Sequence, residues 1–466
     1  MPRQASTWLH TSGHRFLLRR IESALLGEDP GSISEPPRAP AAALALGCVL
    51  AVAALLGCAC LALLRPQPGL GDVRLVMGRQ SGALYVRLAD TWHPVLNLAS
   101  ARLILAAAAD PVPVRESELE HTKRGALLGI PGAPQFIPAP LPERGSTWTI
   151  CDSDPGPETT VIIGTATDAS VRRLDPGHAA VVSTGPGSPT FLLYRGLRAA
   201  VDLADPAVRQ VLGLAEPAPQ RASQSLLNAI PEAPPIAAPR IPGAGAPAGP
   251  WLPDLKIGSV LRITRASGDE YYVVLADGVQ RIGRVAADLL RIIDSHRSTQ
   301  PVAVAPDVIR GVPVVHTLPV AGIAEQAPSG YSTDATVCAA WTPGPSGAAD
   351  VGLLTGAGPP VGPAFKLAPA DGRGPAVDAV HLPPGRSVYV AAQSLTGTGA
   401  RVATRYLVTD TGVRFAIHDD DAARALGLPA TTAAAPWPIL AALPCGPELS
   451  REKALVAHDA IVAGAR

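Results

Sequence analysis

No charge of either sign is in excess along this chain: its 466 residues carry 39 basic and 39 acidic side chains. A nucleic-acid binder ordinarily shows a basic surplus or stripe, so no polyanion partner is suggested. Lysine is scarce, present only as Lys123, Lys256, Lys366 and Lys453, and none of the four follows a glycine. A Gly-x-x-x-x-Gly-Lys-Ser/Thr phosphate loop is therefore absent. None of the ten histidines opens a His-Glu-x-x-His motif, and no zinc-type Cys/His spacing occurs. Gly344-Pro345-Ser346-Gly347 lacks the pattern of a nucleophile elbow. His418-Asp419-Asp420-Asp421 could be drawn as a metal cluster, but aspartate suits an N-cap and first helical turn. Asp202 and Asp205 hold the corresponding place earlier in the chain, which favours the capping reading. No catalytic, cofactor or metal residue emerges.

What is present points elsewhere. Gly 45 and Pro 50 sit beside 47% hydrophobic residues, a balance expected of many short strands joined by ordered turns. Ala41 to Leu64 is uncharged and apolar or small throughout, with Arg38 before it and Arg65 after. At ~1.5 Å per residue those ~24 positions reach ~36 Å, enough to cross a bilayer core. A cleavable signal peptide is disfavoured by the long segment that precedes the run. Arg15, Arg19, Arg20 and Arg38 lie before the span; Arg65, Arg74 and Arg79 follow it, a slight basic bias. Cys151, Cys338 and Cys445 fall beyond it, in a part that reads as exported. The expectation is a cytoplasmic segment over 1–40, a transmembrane helix over 41–64, and an extracytoplasmic remainder.

Two stretches read as interaction surfaces. Ser12 to Gly27 is expected to form a basic amphipathic helix capped by Ser12, with Leu17, Leu18, Ile21 and Leu25 on one face. Arg15 and Arg19 flank that face; such a helix can lie on a membrane or dock on a partner. Within the anchor, Ala43, Gly47, Ala51, Ala54, Cys58 and Ala62 make a small-residue stripe that permits close helix approach. The competing reading of that stripe is simply an alanine-rich chain.

The outer part is written twice. Residues 81–90 recur at 267–277, and from Tyr85 and Tyr272 onward the copies run without a gap. Val95 falls on Ile282, Leu98 on Val285, Ala99 on Ala286 and Leu103 on Leu290. Period two gives way to a turn, a second strand and a helical period, which predicts a hairpin followed by a helix. A second unit repeats around the Gly-x-Arg turns at Gly196-Leu197-Arg198 and Gly412-Val413-Arg414. Each copy ends in Leu-Gly-Leu, at Leu212-Gly213-Leu214 and Leu426-Gly427-Leu428. Two homologous halves, 74–235 and 255–450, are expected, followed by a tail over 451–466. The second half is longer around Gly356–Gly374. The same register sets Cys151 on Cys338. If the halves pack about a pseudo-two-fold, a disulfide between these positions is geometrically natural; the alternative is two unrelated buried thiols.

With these residues in hand the chain resembles the EccB family, core membrane subunits of type VII (ESX) secretion systems. The resemblance rests on 12–20 before the anchor, 76–86, Trp92-His93-Pro94-Val95-Leu96-Asn97-Leu98, Lys123-Arg124-Gly125, 129–134 and Leu443-Pro444-Cys445-Gly446-Pro447. It implies an α+β, β-rich fold with one N-terminal transmembrane helix, then an elongated extracytoplasmic domain. That domain would hold a β core and four hairpin–helix repeats in two pseudo-symmetric halves. The family's core disulfide would fall on Cys151 and Cys338, and Cys445 departs from the family pattern. The implied partners are EccC, EccD and EccE, the lipid bilayer, and further copies of the chain through the outer domain. Arg15, Phe16, Leu17, Arg19, Arg20 and Ile21 would bind partners, and Gly47, Ala51, Ala54 and Cys58 would pack in the membrane. The expected function is a structural subunit of the secretion complex. ATP hydrolysis, sometimes credited to the family, has no motif behind it here; a cell-wall-binding module is the third reading.

Overall fold

A computed structural model describes residues 8–26, 38–64, 70–141, 147–154, 158–165, 170–214, 219–293, 300–320, 322–344, 348–367, 377–396 and 404–458. The chain divides into two compact units, Met1–Gly71 and Asp72–Arg466. The first unit holds the helices Trp8–Leu25 and Arg38–Leu64. Ser12 therefore lies inside its helix and does not cap it. Nothing between Trp8 and Ser12 is a proline or glycine, so no residue stops the helix from extending back. Arg38 likewise opens the second helix instead of preceding it. Pro40 is tolerated there because first-turn N–H groups have no intrahelical partner to lose.

Five sheets build the second unit. Four are small and start from an antiparallel hairpin. In the first, Leu84–Leu88 pairs with Thr91–Val95, and the helix Leu98–Leu105 follows. Its counterpart pairs Gly268–Leu275 with Gly278–Ile282 ahead of the helix Arg284–Ile293. The other two hairpins are Thr190–Tyr194 with Leu197–Val201, and Arg405–Thr409 with Arg414–Ile417. Helices Pro206–Leu212 and Asp420–Leu426 follow them.

The repeated Leu-Gly-Leu has a backbone cause. Gly213 and Gly427 terminate their helices at φ 68° and 78°, the left-handed conformation that glycine adopts without strain. The turn returns Leu214 N–H to Arg209 O at 2.9 Å and Leu428 N–H to Ala423 O at 3.0 Å. Both flanking leucines of each motif are buried. Gly213→Ala, which meets open space, is expected to cost about 1 kcal/mol in an unfolding titration. Gly427→Ala should cost more, because its new Cβ would stand 3.2 Å from Ala108 Cβ. Equal losses would refute the crowding argument.

The helices pack in crossed pairs. Leu98–Leu105 lies against Asp420–Leu426, and Pro206–Leu212 against Arg284–Ile293. Leu103, Ile104, Ala422, Ala423 and Leu426 share one apolar cluster; Val208, Leu212, Val285 and Leu289 share another. Thus the outermost modules in sequence, first and last, are joined in space. Short strands also cross over. Ala139–Pro140 adds to the sheet of Arg386–Gln393, and Gly330–Tyr331 adds to the sheet of His178–Ser183.

The seven-stranded central sheet runs Phe365–Lys366, Ala379–His381, Glu158–Ile163, Trp148–Ser153, Thr336–Pro343, Ala349–Gly356, Val171–Arg173. Its two middle strands are antiparallel, and Cys151 stands opposite Cys338. The register is self-consistent under a shift of 187, the separation of the two cysteines. The pairs Thr336↔Ser153 and Ala340↔Thr149 exchange under that shift. The register is therefore symmetric about the cysteine pair. Trp148 and Trp341 also face each other across the seam, both fully buried.

Candidate functional site

The cysteines at the seam form a disulfide, Cys151–Cys338, and both are wholly buried. Ile162 and Val361 pack against it, so the insertion around Gly356–Gly374 supplies part of its cover. Residues 368–376 of that insertion lie outside the described residues. Cys48, Cys58, Cys60 and Cys445 are free and exposed.

Beside the seam lies a second internal likeness, between residues 222–236 and 435–449. The two stretches align without a gap once the strand registers are known. The match sets Ala222 on Ala435, Leu226 on Ile439, Leu227 on Leu440, Ile230 on Leu443 and Pro231 on Pro444. Every one of these except the two prolines is buried on both sides. The helices Gln224–Asn228 and Trp437–Ala442 that result touch each other over the central sheet. Flanking geometry repeats as well. Arg198 N–H and Arg414 N–H donate to Pro231 O and Pro444 O, each at 2.9 Å. Arg198 stacks over Phe191 and Arg414 over Tyr406, each 5.5 Å from the ring centroid. The signal for this unit was present as Ile230-Pro231 and Leu443-Pro444, but so short a match is invisible without the register.

Asp152 ties the helix Gln224–Asn228 to the sheet. It is almost fully buried, and its carboxylate accepts Ser223 N–H at 2.5 Å, Ser223 Oγ–H at 3.1 Å and Thr159 Oγ1–H at 2.7 Å. Burial pushes this carboxyl above its ordinary value, against the pull of those three donors; the nearby Asp378 charge adds to the rise. A raised carboxyl pKa means the folded chain binds a proton the unfolded chain has released. Stability from this group is therefore greatest below the ordinary value of 3.8 and falls as pH rises through the folded value. Asp152→Asn should remove this fall in stability above pH 3.8 from the stability–pH curve; an unchanged curve would show that another group governs that range.

The His418–Asp421 run behaves as a helix start. Asp419 Oδ1 accepts Ala422 N–H at 2.7 Å, and Asp205 caps the equivalent helix through Ala207 N–H at 2.8 Å. His418 instead pairs with Glu448 at 2.8 Å, which holds its imidazole above the usual histidine range. No group of three or more metal-type ligands occurs among the described residues.

In the first unit, Arg15, Phe16, Leu17, Arg19, Arg20 and Ile21 all lie on the helix Trp8–Leu25 and all are exposed. Phe16 is 63% exposed and Ile21 55%, so the described chain leaves this apolar surface uncovered. Gly47, Ala51, Ala54 and Cys58 fall on one helix whose Ala43–Cys60 stretch is long and apolar enough to cross a membrane.

A profile described as "Type VII secretion system ESX-1, transport TM domain B" matches residues 3–463. The chain is 37% identical over 469 residues to the ESX-3 secretion system ATPase EccB3 of Mycolicibacterium smegmatis, covering 97% of this chain and 90% of that one. It is 35% identical over 473 residues to the ESX-1 secretion system ATPase EccB1 of Mycobacterium tuberculosis H37Rv, covering 98% and 96%. Among solved structures it is similar to a chain of an intact ESX-5 inner membrane complex, with TM-score 0.75 and 31% identity over 100% of this chain and 98% of that chain. It is also similar to the EccB3 dimer from the ESX-3 core complex, with TM-score 0.71 and 35% identity over 83% of this chain and all of that one. A membrane-length helix followed by a disulfide-centred β domain, matched along nearly its whole length, makes this chain a member of the EccB family of type VII (ESX) secretion systems.

Proposed function

We propose that the chain is a structural membrane subunit of a type VII secretion complex, building its channel together with EccC, EccD and EccE. The observation that carries this reading is the division of labour along the chain. One membrane-length helix leads to a β-rich unit braced by a fully buried disulfide. Disulfides persist in oxidising compartments, which supports a periplasmic 74–450 and a cytoplasmic N-terminus. In this reading the unit acts as two halves, 74–235 and 255–450, with 451–466 as a tail, and joins further copies of itself. The dimer found for the ESX-3 relative is consistent with that.

Two surfaces would hold the complex together. Arg15, Phe16, Leu17, Arg19, Arg20 and Ile21 would dock cytoplasmic partners, the apolar side chains entering a groove and the arginines flanking it. Gly47, Ala51, Ala54 and Cys58 would let a neighbouring membrane helix approach. Leu17→Asp with Ile21→Asp should cut recovery of partner subunits with the tagged chain from solubilised membranes by about tenfold or more. The chain's own membrane level serves as control. Full partner recovery by this variant would remove the docking surface from the proposal.

A further inference from the structure

A cleft of about 430 Å³ opens where the two axis helices meet. Its size is that of a small-ligand site. The internal duplication supplies a comparison that a single domain lacks, because the two walls descend from the same sequence unit and have diverged. From the first half come Arg198, Ser225, Asn228 and Glu232; from the second come Trp437, Pro438, Ala441 and Ala442. The 222–236 match to 435–449 sets Ser225 on Pro438, Asn228 on Ala441 and Glu232 on Cys445. One wall has become polar and the other apolar at the same positions.

Two features of the polar wall point to a ligand. Ser225 is 2% exposed, and its Oγ has no hydrogen-bond partner among the described residues. Arg198 Nε is likewise buried without a partner, while its Nη2 holds Glu232 at 3.0 Å. Buried polar atoms are ordinarily satisfied, so an orphan hydroxyl on a cleft wall marks a place where a ligand group can bond. Opposite, Trp437 is 43% exposed, and its ring is steadied by Arg414, 5.5 Å from the centroid, and by Tyr406 at 6.0 Å.

We propose that this cleft binds a pyranose unit of a saccharide. A sugar ring has an apolar C–H face suited to an aromatic platform and an edge of hydroxyls that both donate and accept. Trp437 and Pro438 offer the platform. Ser225 and Asn228 donate and accept, Glu232 accepts, and Arg198 donates, so vicinal hydroxyls can be matched on every side. A proline-rich peptide would also stack on Trp437. It brings no N–H at its prolines, however, and so has no donor for Ser225 Oγ or for the Glu232 oxygen that Arg198 leaves open. The inference goes beyond the subunit reading and does not rest on it.

The test is calorimetric titration of the full-length chain in lipid nanodiscs, free of glycosidic detergent, with N,N′-diacetylchitobiose, maltose and a nonaproline peptide. The expected result is saturable binding of at least one disaccharide, weakened about tenfold or more by Trp437→Ala and by Ser225→Val. Trp251→Ala, at another exposed tryptophan, should leave it unchanged. An unchanged far-ultraviolet spectrum and melting point would show that each variant still folds. Absence of heat with both sugars at millimolar concentration would overturn the proposal. So would binding insensitive to Trp437, or binding of nonaproline in place of sugar.

Discussion

Replacing both Cys151 and Cys338 with alanine is expected to lower the unfolding free energy by ~5 kcal/mol. The bond closes a loop of 187 residues, and the entropy removed from the unfolded chain grows with loop length. Its two ends already stand opposite each other in the antiparallel seam, so forming it demands no rearrangement of the fold. Both sulfurs are inaccessible, which means that a reductant should act only when the sheet opens. Denaturant unfolding of the full-length chain, with and without the pair, measures the difference. Coincident midpoints would mean that strand pairing alone holds the seam. Non-reducing peptide mapping of the chain from membranes adds a second readout, since a linked Cys151–Cys338 peptide also reports the oxidising side of the membrane.

Trp341→Ala should cost ~3–5 kcal/mol, because it empties a large, fully buried site at the centre of the main apolar cluster. A contrast between conservative variants sharpens this. Trp341 donates its Nε1–H to Leu395 O at 3.0 Å, whereas Trp148 Nε1 has no partner among the described residues. Trp341→Phe removes a hydrogen bond and leaves the part-buried Leu395 carbonyl short of a donor, at about 1 kcal/mol. Trp148→Phe removes a donor that has nothing to lose and should cost less. Thermal melting of the two phenylalanine variants decides the matter. A larger loss at Trp148 would contradict the hydrogen-bond assignment.

Much of this protein is readable before any coordinates. The anchor is visible because a bilayer imposes its length on an uncharged run. The hairpins and helices of the first repeat are visible because their periods alternate cleanly and Tyr85 matches Tyr272 without a gap. The recurring Leu-Gly-Leu is visible too, although that Gly213 and Gly427 end helices is seen only in the structure. Asp419 is legible as a cap for a local reason: its partner, Ala422 N–H, is three residues away. The cysteine pairing is half legible: equal positions in two copies meet only if the copies pack about an axis, and the antiparallel seam supplies that condition.

The candidate cleft was not legible, and the reason is distance along the chain. Arg198, Ser225 and Trp437 share one cleft only after the axis helices fold onto the sheet. Short helices such as Gln224–Asn228 carry too little periodicity to be recognised. Ser225 reads as one more polar residue until burial removes its partners. The N-terminal helix shows the opposite failure: its apolar face was clear, but Ser12 looked like a cap, because propensity alone does not reveal where a helix stops extending.

The membrane-length run, the first hairpin and helix with their recurrence after Tyr272, and the shared register of Cys151 and Cys338 can be read from the chain, because each depends on local chemistry or on comparing the chain with itself. Only the tertiary structure decided which modules touch. Leu98–Leu105 packs against Asp420–Leu426, and Arg102 donates across that junction to Leu426 O at 2.9 Å, although the two residues lie 324 positions apart. Strands Ala139–Pro140 and Gly330–Tyr331 pair with sheets built from sequence far from their own, at Arg386–Gln393 and His178–Ser183. Apolar surface gains the same free energy against any apolar neighbour. The choice among partners is therefore made by shape and by the fixed geometry of the central seam, which no linear pattern records.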